Sequence, residues 1–593
     1  MTTAAASKTK AKATPKAEKP KETTRDFVEQ IVVAFILALL VRGFAAEAFV
    51  IPTGSMAPTL MGRHKEITCR QCGQVYQVNA SEDAEAALFA GGNAPSGEAG
   101  TCSNCWYRDE DLAETPSFKG DRILVMKFLY DLPILSGIAG PNRWDIVVFH
   151  YPEEPEVNFI KRCVGLPGDE LRIWYGDVLV RKLGTDAPFG LARRPLKHQQ
   201  AMQMPVWDDA HRPRAFKDRP EWRRWTSPVF AEPTPGTFEL KAPAPTGWDE
   251  LRYRNLVPDP AQWQAAMGGG KSPLGKPRAT LITDFYAYNT AEALYPGAHP
   301  ERAGWLQPHW VGDLTLSARV AVGSKSGAVR LELVEGGVAY RCEIDVATGM
   351  ATLFEGDQPV GTPAQTRLVG PGTYDLGFAN VDDRLTLWVD GRTPFGEGFA
   401  YADGNRPHPA PTAKDLAPAA VALRGTSGSV TGLALKRDIY YTLSPSSHDL
   451  GGSPWEGDQS GRLNVEDPTR RVVEVFDRLG DPSRFAEFGN LRSKDFAVTL
   501  GHYMMLGDNS PRSKDGRGWD QHDKYGYHDR RLGDVEPWAE AERAAHEVPA
   551  ALIVGKAFFV YWPHGKPFGP DIRLNRDIRI PFRPYLERMK WIR

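Results

Sequence analysis

An alternation of apolar and polar residues recurs through the middle of this 593-residue chain. Because successive side chains of a β-strand point to opposite faces of a sheet, this period of two predicts half-buried strands. Gly and Asp turns separate the alternating segments, which favours a β-sandwich between about 281 and 443. The alternating segments are 314–322, 329–334, 340–346, 374–380 and 384–392.

One of these strands also carries a family resemblance. The run Leu-Thr-Leu-Trp-Val-Asp-Gly at 385–391 resembles laminin-G and concanavalin-like jelly rolls. The resemblance implies a jelly-roll insert over 276–445. Many such domains bind glycans and many do not, so a glycan or protein ligand stays a hypothesis beside a spacer or docking role.

Length and composition set broad limits on the rest of the chain. The length suggests roughly three to five domains. A charged fraction of 25% and a formal net charge of −2 give no global field that would attract nucleic acid. Residues 184–275 are rich in Pro, Trp and Arg without a clear period, so we predict an irregular linker there, and a second linker at 446–494.

The N-terminal region combines a basic tail with an apolar segment. Residues 1–26 place Lys and Arg among Ala, Thr and Pro, which predicts a disordered tail. The apolar run at 31–41, extended through Phe27 and 44–46, nearly spans a bilayer, which needs about 20 residues, so we predict a transmembrane anchor at 27–48. The basic tail predicts a cytoplasmic N-terminus, a single-pass anchor in the inner (plasma) membrane and an extracytoplasmic remainder. The alternative is a cleavable signal peptide with its small-residue site at 46–48.

Two Cys-x-x-Cys pairs lie in a polar segment at 63–116 that we predict to be an insert. Each pair can place two thiolates on one tight turn, which suits a structural zinc site resembling a zinc ribbon. Two disulfides are the alternative, since an extracytoplasmic location permits them. The candidate ligands are Cys69, Cys72, Cys102 and Cys105.

Two further segments can supply a nucleophile and a base. Ser55 lies between Gly and Met on a loop bounded by prolines, and Lys161 is flanked by apolar residues. Desolvation disfavours an ammonium, so a buried lysine can be neutral near pH 7. A neutral amine within hydrogen-bond reach of a hydroxyl can activate that hydroxyl for attack.

These two segments, 51–60 and 159–169, resemble bacterial type I signal peptidases, which are membrane-bound Ser/Lys proteases. Three more blocks continue the resemblance in the family's order, at 120–128, 145–152 and 507–517. The resemblance implies a membrane-bound serine endopeptidase that removes signal peptides from exported preproteins. Its substrates would carry small side chains at the −1 and −3 positions.

The resemblance also implies roles for individual residues. Ser55 would be the nucleophile and Lys161 the general base, with no cofactor in catalysis. The Ser55 N–H and the Thr53 hydroxyl would hold the oxyanion. The supporting residues would be Ser513, which orients the lysine, the ion pair of Asp515 and Arg517, which braces the loop, and Asp508 and Asn509, which shape the turn. The positions matching the walls of shallow apolar substrate pockets are Phe49, Ile51, Pro52, Leu60 and Ile160.

The expected fold is therefore mainly β. A coiled antiparallel catalytic core would be formed by 49–62, 117–183 and 495–583, with an N-terminal transmembrane helix and the two inserts. Three local departures from the family pattern concern loop geometry and leave the proposed nucleophile and base intact. These are Trp144, where a glycine often precedes the strand, Ser510-Pro511 in place of a basic residue, and Gly516 in place of a serine.

Two other functions compete with the peptidase. One is a membrane-anchored binding protein whose β-sandwich recognises a glycan or partner on an inactive peptidase scaffold. The other is a self-cleaving Ser/Lys regulator of the same broad fold. Intact Ser55, Lys161 and Ser513 argue against the first, and the predicted anchor and small-residue pockets argue against the second.

Overall fold

The computed structural model shows a mainly β protein, as the sequence predicts. Of the predicted tail at 1–26, only 24–26 are among the described residues. Of the second predicted linker at 446–494, the part before 475 also lies outside them. The described residues are 24–40, 43, 46–81, 99–130, 140–244, 246–268, 275–290, 309–402, 404, 408–443, 475–489, 491–519, 546–563, 565–573 and 579–592.

The helices are few and short. The α-helices are α1 Thr24–Leu40, α2 Leu196–Met202, α3 Pro260–Met267 and α4 475–479. The 3₁₀ helices are Arg214–Phe216, Pro220–Trp222, Ala287–Asn289, Ala413–Leu416, Pro482–Gly489, Ser510–Arg512, Ala550–Leu552 and Leu586–Arg588. Across the described ranges, no helix has both the length and the apolar character needed to cross a membrane.

The strands fall into three stretches of the chain. The first is β1 Ala46–Val50, β2 His64–Thr68, β3 Val75–Asn79, β4 Gly100–Thr101, β5 Arg108–Asp109, β6 Ser117–Phe118, β7 Arg122–Met126, β8 Ile146–Tyr151, β9 Glu154–Gly165, β10 Asp169–Trp174, β11 Asp177–Lys182 and β12 Gly190–Leu191. The second is β13 Met204–Asp208, β14 Trp225–Thr226, β15 Ala231–Thr234, β16 Thr237–Leu240, β17 Asp249–Tyr253, β18 Leu314–Val322, β19 Ala328–Glu335, β20 Val338–Asp345, β21 Met350–Glu355, β22 Gln358–Gln365, β23 Gly372–Val381, β24 Arg384–Val389, β25 Phe399–Ala400, β26 Ala419–Arg424 and β27 Gly428–Arg437. The third is β28 Lys494–Ala497, β29 His502–Leu506, β30 Glu547–Pro549, β31 Ile553–Trp562, β32 Gly565–Arg573, β33 Arg579–Pro584 and β34 Lys590–Trp591.

One antiparallel sheet joins the beginning of the chain to its last part. Its strand order is β1-β7-β31-β8-β9-β29-β30, and β34 pairs with β31. Strand β9 pairs with β29 so that Met505 faces Cys163 and Leu506 faces Arg162. This register places the residues after Leu506 beside Lys161.

The predicted anchor at 27–48 does not continue as one helix to its last residue. Residues 46–48 belong to β1, where Ala46 pairs with Met126. The apolar content of the sequence predicted this segment. It could not show where the helix ends and strand β1 begins, because both elements are apolar.

Two sheets form a β-sandwich in the middle of the chain. One has the order β15-β16-β27-β18-β23-β24-β25 with β13 on β27, and the other has the order β14-β17-β26-β19-β20-β21-β22. Apolar residues of both sheets, such as Leu316 and Leu331, share one buried core.

The predicted linker at 184–275 is wrong for much of its length. Strands β13 to β17 lie there, and they complete both sheets of the sandwich. Strands β13 and β16 pair with the distant β27, and β17 pairs with the distant β26. These strands were missed because they are short and include Pro205 and Pro233, which obscure the period of two.

The cysteine insert forms two small sheets, β3-β2-β6 and β4-β5. It does not stand alone. Its cysteines pack in one apolar core with Phe216, Trp222, Leu256 and Trp263 from the sandwich region. The insert and the sandwich region therefore share a core.

Candidate active site

Ser55 lies on the loop between β1 and β2, which we call the nucleophile loop (51–63). The Ile51 N–H donates to the Asp121 carbonyl, and the Leu60 N–H donates to the Met56 carbonyl. These bonds fix both sides of a compact turn. Ser55 is only 3% exposed, so its hydroxyl points into the protein and not into bulk water.

Lys161 reaches Ser55 from β9. Its Nζ lies 2.8 Å from Ser55 Oγ, within hydrogen-bond distance. Lys161 is 3% exposed, and its Nζ lies 5.0 Å from the centre of the Phe159 ring. The contact has the geometry of a nucleophile and its base.

Thr53 lies on the same loop, and its Oγ1 donates to Ser55 Oγ over 3.3 Å. A hydroxyl this close to the nucleophile is within reach of the oxygen that becomes negative during acyl transfer. The predicted role of Thr53 in the oxyanion hole agrees with this position and stays a prediction.

The loop after β29, which we call the late loop (507–517), packs against the nucleophile loop. The Asn509 N–H donates to the Ser55 carbonyl over 3.0 Å, and Asn509 Nδ2 donates to the Gly54 carbonyl over 3.2 Å. Gly507 permits this approach, because a Cβ there would lie 2.5 Å from the Ser55 carbonyl oxygen and 2.1 Å from Ser513 Oγ.

Ser513 is fully buried beside Gly507. Its Oγ makes no hydrogen bond within the part of the chain that the structure describes. The structure thus brings Ser513 next to the nucleophile loop, while its orientation of Lys161 stays a prediction.

Asp515 and Arg517 form a buried ion pair at 2.7 Å, with both side chains fully excluded from solvent. Asp515 Oδ2 also accepts the Gly507 N–H over 2.9 Å. Arg517 donates to the Thr442 carbonyl over 2.7 Å. This pair therefore holds the late loop at the point where it approaches Ser55.

A second buried ion pair was missed from the sequence. Arg162 binds Asp508 through two bonds of 2.7 and 2.6 Å, and neither side chain is exposed. Asp508 also accepts a hydrogen bond from Thr59 of the nucleophile loop. Asp508 does more than shape its turn, since its carboxylate joins the lysine strand to the nucleophile loop. The available signal was the position of Arg162 next to Lys161.

The predicted pocket residues lie around one apolar cluster. Phe49 and Ile160 are partly buried against it, whereas Ile51 and Leu60 belong to its buried interior. Pro52 is exposed. Phe49, Ile160 and Pro52 are therefore accessible from outside the cluster, whereas Ile51 and Leu60 lie inside it; that these residues line a substrate pocket stays a prediction.

The departure at Trp144 has a backbone signature. Its φ is +76°, in the region that glycine adopts most readily. A glycine here would adopt this conformation without strain, whereas Trp144 adopts it with its ring buried at 3% exposure.

The four cysteines converge in the insert. All are buried, and one Sγ from each lies within 4.8 Å of the others. Cys69 and Cys105 approach to 3.6 Å, and Cys72 and Cys102 approach to 3.7 Å. Four soft sulfur donors at these separations fit a tetrahedral zinc ion.

A segment of the sandwich region also reaches the nucleophile loop, which the sequence did not predict. Asn289 and Asn509 exchange two amide hydrogen bonds of 2.8 and 2.9 Å. The Tyr288 ring fills the space beside Gly54, where a Cβ would lie 2.2 Å from a ring carbon. No local pattern marks these residues, because their partners are far away in sequence.

Residues 108–212 match the family model for signal peptidase, peptidase S26. This region of the chain is therefore similar to that family. The matched region contains Lys161 but ends well before the late loop and begins after Ser55. The Ser55–Lys161 contact therefore joins the matched region to a loop outside it.

Two curated relatives extend the similarity. Signal peptidase I of Pseudomonas aeruginosa is 38% identical over 125 residues, which cover 18% of this chain and 43% of the relative. A probable signal peptidase I-2 of Synechocystis is 28% identical over 166 residues, which cover 27% of this chain and 47% of the relative. The chain thus spans less than half the length of these relatives.

The solved structures show only slight likeness. A carbohydrate-binding module from Bacillus subtilis matches at 14% identity with a TM-score of 0.13, covering 21% of this chain and 72% of the module. A likeness at this level carries no argument about what the sandwich binds.

Proposed function

We propose that this protein is a membrane-anchored signal peptidase I that removes N-terminal signal peptides from exported preproteins. The observation that carries the proposal is the buried contact of 2.8 Å between Ser55 Oγ and Lys161 Nζ. The family match around Lys161 supports the reaction class.

The residues can perform acyl transfer in two steps. Lys161 Nζ takes the proton of Ser55 as Oγ attacks the scissile carbonyl carbon, and the protonated amine then gives that proton to the leaving amine. The Ser55 N–H and Thr53 Oγ1 donate to the oxyanion. In the second step water, deprotonated by Lys161, attacks the acyl carbon, and the proton returns to Ser55 Oγ as the ester bond breaks.

The substrate class follows from the apolar surface beside Ser55. Phe49 and Ile160 offer shallow contacts for small side chains, and larger ones would overlap with the protein. We therefore expect Ala-x-Ala sequences before the scissile bond.

Exposed apolar residues support contact with a bilayer. On α1, residues such as Phe35 and Leu37 are more than half exposed, at 66% and 59%. On the catalytic sheet, Val50 is 54% exposed and Trp591 is 64% exposed. Burial of such surface in lipid is favourable, so we propose that α1 and its flanks anchor the protein with a cytoplasmic N-terminus. The catalytic sheet would then meet the outer surface of the inner membrane.

The test is cleavage of a preprotein ending in Ala-x-Ala, in detergent, by the wild type, Ser55→Ala and Lys161→Ala. We expect cleavage after the final Ala by the wild type only, with unchanged thermal unfolding of both variants. Cleavage by Ser55→Ala would show that another residue is the nucleophile. A folded wild type without activity, together with glycan or protein binding, would favour the anchored binding protein instead.

A further inference from the structure

The sulfur geometry of the four cysteines is that of a metal site. A tetrahedral zinc ion with Zn–S bonds of about 2.3 Å places its sulfurs about 3.8 Å apart. The two observed separations of 3.6 and 3.7 Å lie close to this value. Both join one Cys-x-x-Cys pair to the other, so the two pairs face a common centre. All four sulfur atoms lie within 4.8 Å of one another.

The backbone of each pair forms the same tight turn. The Gly73 N–H donates to the Cys69 carbonyl over 2.9 Å, and the Trp106 N–H donates to the Cys102 carbonyl over 3.0 Å. Gly73 and Trp106 both have positive φ, at +76° and +66°. Each turn therefore directs both of its thiols to one side.

The cysteine centre is also in contact with the sandwich region. His211 Nδ1 lies 3.2 Å from the Cys72 carbonyl oxygen. The Trp106 ring stacks on Phe285 with centres 3.9 Å apart. The Thr101 N–H donates to Thr290 Oγ1 over 2.8 Å. The second cysteine turn thus holds both ends of the segment 285–290.

That segment in turn touches the nucleophile loop. Tyr288 is fully buried and packs against Ala57 and Met61. Asn289 pairs with Asn509, which itself donates to the carbonyls of Gly54 and Ser55. A continuous set of contacts therefore runs from the cysteine centre to the nucleophile.

We propose that the four cysteines bind one zinc ion, and that this centre holds the segment 285–290 against the nucleophile loop, where Asn289 is a positioning residue for Ser55. The metal site stands on the sulfur geometry alone. The positioning role rests on the proposed peptidase function.

The metal is tested on full-length protein purified without reductant. We expect about one zinc per chain by elemental analysis. Cys72→Ser and Cys105→Ser should each lose most of it, while Cys342→Ala, which removes a buried thiol in the sandwich core, should keep it. Protein without zinc and without titratable thiols at the four positions after denaturation would establish disulfides and overturn the metal site. Protein without zinc but with free thiols would overturn it equally.

The positioning role is tested with Asn289→Ala. Loss of the paired amides should lower kcat about tenfold with KM within about twofold, because the nucleophile is displaced and the substrate surface is retained. Zinc content should stay at about one per chain. Asn509→Ala should have a similar effect, and the double variant should be no worse than the more damaged single variant.

A matched control is Asn380→Ala, which removes a buried amide whose hydrogen-bond partners, Glu335 and Tyr401, also lie in the sandwich. It should keep the wild-type kcat. Wild-type kcat in Asn289→Ala, or an equal loss in Asn380→Ala, would overturn the positioning role. A wild type that cleaves no preprotein would refute the proposed function and the positioning role together, and the zinc measurement would still decide the metal site.

Discussion

Gly507 gives the sharpest test of how the late loop controls the nucleophile. An added Cβ would lie 2.5 Å from the Ser55 carbonyl oxygen, and ordinary contact begins near 3.4 Å. The loops must therefore separate by about 0.9 Å, and the same Cβ also meets Ser513 Oγ at 2.1 Å. Overpacking of this kind costs about 1–3 kcal/mol of stability, and a displacement of about 1 Å in an active site can cost about 100-fold in rate.

We expect Gly507→Ala to lower kcat for preprotein cleavage about 100-fold while the protein remains folded. The assay compares steady-state kinetics and thermal unfolding of the wild type, Gly507→Ala and Gly268→Ala. Gly268 is the matched control, because its nearest neighbour would lie 3.4 Å from an added Cβ. A kcat within twofold of the wild type in Gly507→Ala would show that the loops tolerate the displacement and would refute the reasoning.

Two further predictions concern buried charges. Asp508→Ala should lower the free energy of unfolding by about 3–5 kcal/mol in urea titrations, because it leaves Arg162 charged and buried. The double variant Arg162→Met with Asp508→Leu should recover most of this loss, and a double variant as unstable as Asp508→Ala would contradict this account. Burial, with a smaller effect of the Arg588 charge, lowers the pKa of His64 from 6.5 to about 4. The unfolded chain binds this proton at a higher pH than the folded protein does. The contribution of His64 to the free energy of unfolding is therefore complete above pH 6.5 and is lost as the pH falls towards 4, a total loss of about 3 kcal/mol. His64→Gln should flatten the pH dependence of unfolding in this window, and an unchanged acid limb would exclude His64 as its source.

The sequence predicted those parts of the site that are carried by local motifs. Ser55 and Lys161 each lie in a recognisable segment, and the order of the blocks was sufficient to predict that they meet. The alternating strands predicted the sandwich in the same way, since the period of two is a local property. Asn289 carries no such signal, because an asparagine in a short 3₁₀ turn has many possible roles. Its function is set by Asn509, a partner 220 residues away.

The strands at 204–253 show the same limit. A short strand such as β13 is stabilised mainly by the strand it pairs with, here β27. Local composition therefore indicated an irregular segment, and only the long-range pairing reveals a sheet. Ser513 is the converse case. The family pattern placed it in the site, but its hydroxyl makes no bond among the described residues.

The connection of the large insert explains how the catalytic sheet tolerates it. The insert leaves the core after β11 and returns at β28, and both strands flank β10 in the sheet β12-β11-β10-β28. Leu171 of β10 faces both Val180 of β11 and Phe496 of β28, so both ends of the insert are attached to strands that pair with β10. Closing a loop becomes only slowly more costly with length, and an insert with its own buried core supplies its own stability. The core can therefore accept about 300 additional residues at this point. Because the insert returns Tyr288 and Asn289 to the nucleophile loop, its removal should impair the site even though the sheet is continuous without it.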